Sequence, residues 1–276
     1  MSRAVLTAIL AALLWLGAGV ASADTSGTDF LDGSTNALIM SPTGFSDPEA
    51  FKGYMPSIDK LHLEQLGFPA NGTLTPLTTP ETPFFGPSIA KGDAILVNAI
   101  ETAWKNGEFN AEHPLTVVGY SQSTVIESQV EPILKAAGIP TEWLRFVMLG
   151  DAASDPSTGA TGILDSELGI IVDDFLGWTS LNGTETPTND YPAVVFDIPH
   201  GFWEDTTADK TLGQLIYGNV LHGDYLGFSQ ATIEAAINDT ATTNVNGLTT
   251  YYTIPDPVGM AAIEVPLQTI LNNLFG

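Results

Sequence analysis

The chain has 276 residues, a formal net charge of −24 and no cysteine. This charge argues against a nucleic-acid partner and against charge-driven binding to anionic lipid, because both surfaces would repel the protein. The lack of cysteine excludes disulfides, thiol catalysis and cysteine-ligated metal, so a hydrophobic core alone must hold the fold.

Residues 1–23 have the pattern of an export signal. They contain Arg3, no acidic residue and an apolar run over residues 4–20, which is followed by the sequence ASA at residues 21–23. The run is at the short end for a retained membrane anchor, and the A-x-A site favours cleavage before Asp24. We therefore expect a secreted or cell-envelope protein in which residues 24–276 form one domain.

Short apolar runs alternate with amphipathic runs, which predicts an α/β domain with a mostly parallel central sheet and helices on both faces. The predicted strands are residues 37–40, 115–118, 144–149, 193–197 and 249–254. The predicted helices begin near Pro87 and at Gln122, and others cover 212–221, 231–237 and 258–275. Proline-rich residues 68–87 are expected to be irregular, and Pro132 to kink or break its helix after Glu131.

An insertion at residues 163–190 mixes apolar and acidic side chains. Two interpretations are open for it. It forms either a flap or lid over the site, or an ordinary amphipathic excursion packed on the core.

Residues 115–137 have the pattern of a buried strand, a sharp turn that carries Ser121, and a helix. Such a turn strains the serine backbone and crowds its neighbours, so only small side chains such as Gly119 and Ser123 fit two residues away on either side. The letters G-x-S-x-S arise easily by chance, but this context favours Ser121 as a nucleophile. Ser229, in the sequence GFSQA, lacks a preceding strand and is better explained as a helix N-cap.

A serine hydroxyl needs a base to become a good nucleophile, and the chain has four histidines. His113 precedes the strand that leads to Ser121, which places it at the wrong edge of the sheet. We expect His62 to be a surface group. His200 and His222 both follow the strand at 193–197, and the chain order serine, acid, histidine favours His222 because it leaves room for an acid before it.

The acid that orients the histidine should lie on the loop after that strand, where Glu204, Asp205 and Asp209 are all candidates. The oxyanion that forms on acyl attack needs hydrogen-bond donors. The backbone N–H of Gln122 supplies one. Thr43, in the turn after the first strand, supplies a second through its N–H or hydroxyl, unless its role is only to form that turn.

Several sequence motifs of the chain, taken in order, resemble those of a known family. GYSQS after LTVV is followed in order by LRFVMLGDAASDP, PAVVFDIPHGFWED, VLHGDY and TTYYTIPDP. This series resembles the mycobacterial PE-PPE domain, a family of cutinase-like serine α/β-hydrolases, from about residue 38 to residue 257. The serine at the last position of GYSQS is typical of that family. No PE or PPE helical module is part of the resemblance.

The resemblance implies Ser121 as nucleophile and His222 as its histidine. The family's D-G-F-A-D becomes HGFWE here, which puts Glu204 in the place of the final aspartate, with the adjacent Asp205 as the alternative acid. The family's G-G-T-G becomes SPTG, which keeps Thr43.

For function, the resemblance implies a secreted esterase or lipase that acts on acyl esters or lipids through an acyl-serine intermediate. Neither a metal nor an organic cofactor is required. An acyltransferase that moves acyl chains between cell-envelope glycolipids would use the same residues. A non-catalytic envelope protein that binds lipid is the alternative from another class.

Overall fold

The structure is a computed structural model. It describes residues 29–155, 161–166, 181, 183–205, 218 and 221–255. The predicted export signal and the predicted helix at 258–275 lie outside the described residues. So do most of the predicted helix at 212–221 and residues 167–180 and 182 of the predicted insertion.

The described strands form one mixed sheet. They are β1 (Asn36–Ile39), β2 (Thr73–Pro76), β3 (Leu115–Tyr120), β4 (Leu144–Leu149), β5 (Ala193–Asp197), β6 (Asn244–Asn246) and β7 (Thr249–Thr253). Their order in the sheet is β2-β1-β3-β4-β5-β7-β6, and every neighbouring pair is parallel except β6 with β7. All six residues of β3 are buried, as its apolar sequence predicts for an inner strand.

The described α-helices lie on both faces of the sheet. They are α1 (Tyr54–Ile58), α2 (Phe85–Lys105), α3 (Gln122–Ala136) and α4 (Gln230–Asn238). Val117 of β3 packs in the hydrophobic cluster that includes α2 and α3, whereas the next residue, Val118, packs with α1 and α4. This alternation confirms the predicted architecture. Among the described helices, none is both long and apolar enough to cross a membrane.

The chain continues from α1 through a π-helical turn (Asp59–Leu63) and a 3-10 turn (Glu64–Leu66). Two more 3-10 turns cover Thr141–Trp143 and Ile163–Asp165. Helix α4 begins after Ser229, whose hydroxyl accepts a hydrogen bond from the N–H of Thr232 at 3.2 Å. Ser229 is therefore the predicted N-cap.

The structure differs from the sequence-based expectation at two places. Strand β2 lies within the proline-rich stretch that was expected to be irregular; as an edge strand it alternates exposed and half-buried residues, and an edge tolerates Pro76. Of the two outcomes expected at Pro132, a kink or a break, the break does not occur, because helix α3 continues through Pro132 to Ala136. Val130 and Leu134 on either side of the proline are fully buried in the core. Their packing outweighs the roughly 3 kcal/mol that an interior proline costs.

The order of the strands creates a crevice where β3 meets β1. From β3 the chain proceeds through β4, β5 and β7 on one side, while β1 and β2 lie on the other side. Ligands of parallel α/β sheets bind at the carboxyl ends of strands at such a switch point. The turn after β1, the turn between β3 and α3, and the loop after β5 all start at this edge.

Candidate active site

Ser121 occupies the sharp turn between β3 and α3, with φ 60° and ψ −119°. A residue other than glycine seldom adopts this conformation, which costs on the order of 1–3 kcal/mol. At Gly119, a Cβ atom would lie 2.8 Å from Oε2 of Glu127. The buried Ser123 hydroxyl accepts the N–H of Tyr120 at 2.7 Å and donates to the carbonyl of Tyr120 at 3.0 Å. Ser123 is thus small enough for the turn and also braces it.

Ser121, His222 and Glu204 form a chain of hydrogen bonds. Oγ of Ser121 lies 2.8 Å from Nε2 of His222, and Nδ1 of His222 lies 2.7 Å from Oε2 of Glu204. Glu204 is fully buried and His222 is 7% exposed. A carboxylate on Nδ1 favours the imidazole tautomer that carries its proton there, which leaves Nε2 to accept the serine proton.

Two glycines allow this close packing. A Cβ atom at Gly201 would lie 2.2 Å from Cδ of Glu204, and one at Gly150 would lie 2.7 Å from Cε1 of His222. The hydroxyl of Tyr120 donates to the carbonyl oxygen of His222. His222 and Glu204 are therefore packed so closely against Gly150 and Gly201 that a larger residue at either glycine position would clash with them.

The alternative base, His200, and the alternative acid, Asp205, contact each other. The side chain of His200 is 44% exposed, and its backbone N–H donates to Oδ2 of Asp205 at 2.6 Å. The structure thus places Glu204, and not Asp205, against His222. Asp209, the third candidate acid, lies outside the described residues.

The other two histidines have hydrogen-bond partners other than Ser121. His113 is exposed and its Nδ1 lies 3.1 Å from the carbonyl oxygen of Gly33, as expected for the opposite edge of the sheet. The prediction that His62 is a surface group is wrong, because it is fully buried and its Nε2 lies 3.0 Å from the carbonyl oxygen of Tyr225. Burial lowers the pKa of His62 to about 4.

The predicted oxyanion donors, Gln122 and Thr43, are joined to each other by a hydrogen bond. Gln122 is the first residue of α3, so its backbone N–H has no acceptor within the helix and lies at the positive end of the helix dipole. Its side-chain amide donates to Oγ1 of Thr43 at 3.1 Å and to the carbonyl of Thr82 at 3.0 Å, and it accepts the hydroxyl of Ser88 at 2.6 Å. The Gln122 side chain therefore holds the turn that carries Thr43.

An apolar groove with a volume of about 470 Å³ leads to Ser121 and His222. The described residues that line it include Pro42, Phe45, Phe51 and Leu226, together with Thr43. Within the described residues, no group of three or more His, Asp or Glu side chains is placed to hold a metal ion.

Sequence reasoning did not identify Tyr225 or the side chain of Gln122. The hydroxyl of Tyr225 donates to Oε1 of Glu204 at 2.9 Å. Tyr225 ends the VLHGDY motif, three residues after His222, so the motif itself was the available signal. Gln122 adjoins the serine, but no pattern in the sequence brings Thr82 and Ser88 to it.

Comparisons with known proteins agree with the resemblance seen in the sequence. The family model described as the PE-PPE domain matches residues 60–258. An uncharacterized PPE family protein of Mycobacterium tuberculosis (strain ATCC 25618 / H37Rv), PPE28, is 28% identical over 241 residues, which cover 80% of this chain and 33% of that protein. The chain thus spans about one third of the length of this relative.

Two solved structures resemble the chain. A cutinase-like protein from Cryptococcus sp. gives a TM-score of 0.41 at 14% identity, covering 75% of this chain and 97% of its own. The Vlm2 thioesterase domain bound with a dodecadepsipeptide gives 0.37 at 13% identity, covering 88% and 95%. The chain itself has the mostly parallel sheet, the helices on both faces and the strand–serine–helix turn of an α/β-hydrolase fold. With a family model that matches more than half of its length, the chain belongs to the PE-PPE domain family.

Proposed function

We propose that this protein is a serine esterase or lipase that cleaves acyl esters through an acyl-Ser121 intermediate. The main support for this proposal is the chain of hydrogen bonds at the site. His222 lies 2.8 Å from Oγ of Ser121 through Nε2 and 2.7 Å from Oε2 of Glu204 through Nδ1. Nucleophilic attack by a serine requires such a base within hydrogen-bond reach and an acid behind it.

In the first half of the reaction, Oγ of Ser121 attacks the acyl carbonyl carbon and its proton passes to Nε2 of His222. Glu204 stabilises the imidazolium that forms. The backbone N–H of Gln122 and a donor of Thr43 stabilise the oxyanion. His222 then protonates the leaving alcohol, and in the second half a water molecule, activated by the same histidine, releases the acid and restores Ser121.

The chemistry of the groove supports an acyl chain as the group that is bound. Its volume of about 470 Å³ lies in the range of small-molecule sites. Its described lining is mostly apolar, with Phe45 and Phe51 at 44% and 36% exposure. Burial of methylene groups against such a lining is favourable by about 0.8 kcal/mol each.

A second candidate function is acyl transfer to an alcohol. The same acyl-Ser121 would serve, and a groove of about 470 Å³ with a largely apolar lining also has room for the lipid part of an alcohol acceptor. The two functions differ in the second acceptor. Incubation with an acyl ester and increasing concentrations of an alcohol separates them, because a hydrolase yields mainly free fatty acid and a transferase yields mainly the new ester.

The proposal is tested by labelling with a fluorophosphonate probe, which reacts with activated serines. We expect wild type to be labelled and to cleave short acyl esters. Ser121→Ala should lose both properties, and His222→Ala should lose nearly all of both. The absence of label on folded wild type, together with intact short acyl esters, would favour a non-catalytic lipid-binding protein instead.

A further inference from the structure

Among the described residues, two adjacent compartments of apolar space border Ser121. The outer compartment is the groove of about 470 Å³ described above. The inner compartment has a volume of only about 10 Å³, and its described lining includes Ile89, Val125 and Leu164. Both compartments share Ser121 and two aromatic side chains, Phe85 and Trp203.

Phe85 and Trp203, which line both compartments, form an aromatic pair. Their ring centroids are 5.6 Å apart and their planes are tilted by 46°. Phe85 is the first residue of α2 and is only 9% exposed. The carbonyl of Trp203 accepts the N–H of Ile163 at 2.8 Å, which ties this residue to the wall of the inner compartment. The pair is therefore held from two separate elements.

The size and lining of the inner compartment favour a small apolar group. The side chains that surround it are almost completely buried: Ile89 is 1% exposed, Val125 2%, Leu164 4% and Leu181 3%. Gln122, a polar residue at its mouth, is already bonded to Thr43, Thr82 and Ser88. A space of about 10 Å³ holds at most one water molecule, and an apolar lining offers that water no partners.

We infer that Phe85, with Trp203 behind it, is a specificity-determining residue that directs the acyl chain on Ser121 into the outer groove. This inference rests on the proposed function and extends it to the shape of the acyl chain. With Phe85 in place, the compartment among the described residues that is large enough for a chain attached to Oγ of Ser121 is the outer groove, at about 470 Å³ against about 10 Å³. Without the Phe85 ring, the chain end gains a second apolar site. Each methylene moved from water into it favours binding about fourfold.

The test compares Phe85→Ala with Phe84→Ala, since the neighbouring Phe84 is 72% exposed and is not among the described residues of either compartment. The rate of Ser121 labelling is measured with fluorophosphonates that carry a butyl or a dodecyl chain. We expect Phe85→Ala to raise the ratio of dodecyl to butyl labelling at least tenfold, which corresponds to about two buried methylenes. Phe84→Ala should keep the wild-type ratio. Labelling with an unchanged ratio in folded Phe85→Ala overturns the inference, whereas labelling by neither probe in any of the proteins overturns the proposed function.

A second measurement does not depend on reactivity. Crystals of Phe85→Ala exposed to xenon, which occupies dry apolar cavities, should show a xenon atom between Ile89, Val125 and Leu164. Wild type should show none there. If Phe85→Ala fails to fold, Phe85→Leu opens a smaller passage and should show the same two effects at lower amplitude. A site without xenon in a folded Phe85 variant overturns the inference.

Discussion

The hydroxyl of Tyr225 donates to Oε1 of Glu204 at 2.9 Å and accepts the backbone N–H of Ile198 at 3.1 Å. It therefore ties the acid behind His222 to the residue that follows β5. We predict that Tyr225→Phe lowers kcat about tenfold with little change in KM, because a hydrogen bond to a charged group is worth about 1.5–3 kcal/mol. Steady-state kinetics with a short acyl ester measure kcat and KM separately.

The matched control is Tyr191→Phe. Tyr191 is also fully buried, and its hydroxyl donates to the carbonyl of Ile139 at 3.0 Å, far along the chain from the site. This variant should lose stability and retain kcat. Equal losses of kcat in Tyr225→Phe and Tyr191→Phe would mean that Tyr225 has only a structural role.

The two neighbouring acids should behave differently. Glu204→Gln is expected to lower kcat about 10³-fold or more, because an amide on Nδ1 of His222 no longer stabilises the imidazolium and permits the wrong tautomer. Asp205→Asn should change kcat only a few-fold, since Asp205 accepts the N–H of His200 and the described contacts of His222 do not include it. The reverse order of effects would move the role of the acid to Asp205.

The inner strands and the turn at Ser121 were predictable because burial on both faces demands apolar, β-branched residues. β4 and β5 have the predicted bounds for this reason. β2 and β6 were missed because both occupy edges of the sheet, where one side needs no neighbour and polar residues suffice. A local pattern therefore indicates inner strands more reliably than edge strands.

The environment of the site was less predictable than the residues that form it. The strand–turn–helix pattern predicted Ser121, and the chain order of serine, acid and histidine predicted His222, but nothing local separated Glu204 from Asp205. That choice depends on Gly201, which leaves the space into which the Glu204 carboxylate folds. The prediction for His62 was wrong for a similar reason, because this buried side chain contacts residues far away in the sequence, among them Phe196 and Tyr225.

Ser123 should stabilise the turn at Ser121 through its two bonds to Tyr120. Ser123→Ala leaves the buried N–H of Tyr120 without that acceptor, which costs about 1–3 kcal/mol of unfolding free energy. Because the same bonds brace the strained backbone of Ser121, we also expect kcat to fall. Chemical denaturation and steady-state kinetics give the two values.

Ser34→Ala is the control for Ser123→Ala. Ser34 is equally buried, and the hydrogen bonds of its hydroxyl include those with the carbonyl of Pro114 at 2.8 Å and with Oγ1 of Thr116 at 2.6 Å, at the opposite end of β3. It should lower stability and leave kcat as in wild type. A Ser123→Ala enzyme with lower stability and unchanged kcat would refute the role of Ser123 in bracing the nucleophile.

Glu81 lies beneath the turn that carries Thr43 and should make stability depend on pH. Its carbonyl accepts the N–H of Gly44 at 2.7 Å, and its Oε1 accepts the hydroxyl of Thr79 at 2.7 Å. Its Oε2 is buried without a hydrogen-bond partner among the described residues. Burial raises the pKa of Glu81 to about 8. A raised pKa means that the native state binds this proton more tightly than the unfolded state does.

The stability that protonated Glu81 contributes is therefore complete below about pH 4, the usual range of a glutamate, and is lost as the pH rises through about 8. His62, with its lowered pKa, changes the stability in the opposite direction below about pH 6.5, so the informative quantity is the difference in unfolding free energy between two variants.

We predict that wild type loses on the order of a few kcal/mol of unfolding free energy relative to Glu81→Gln between pH 5 and pH 8. The exposed Glu49 provides the control, since Glu49→Gln should keep the wild-type pH dependence. Urea denaturation at each pH measures the difference, and parallel curves for wild type and Glu81→Gln would contradict the prediction.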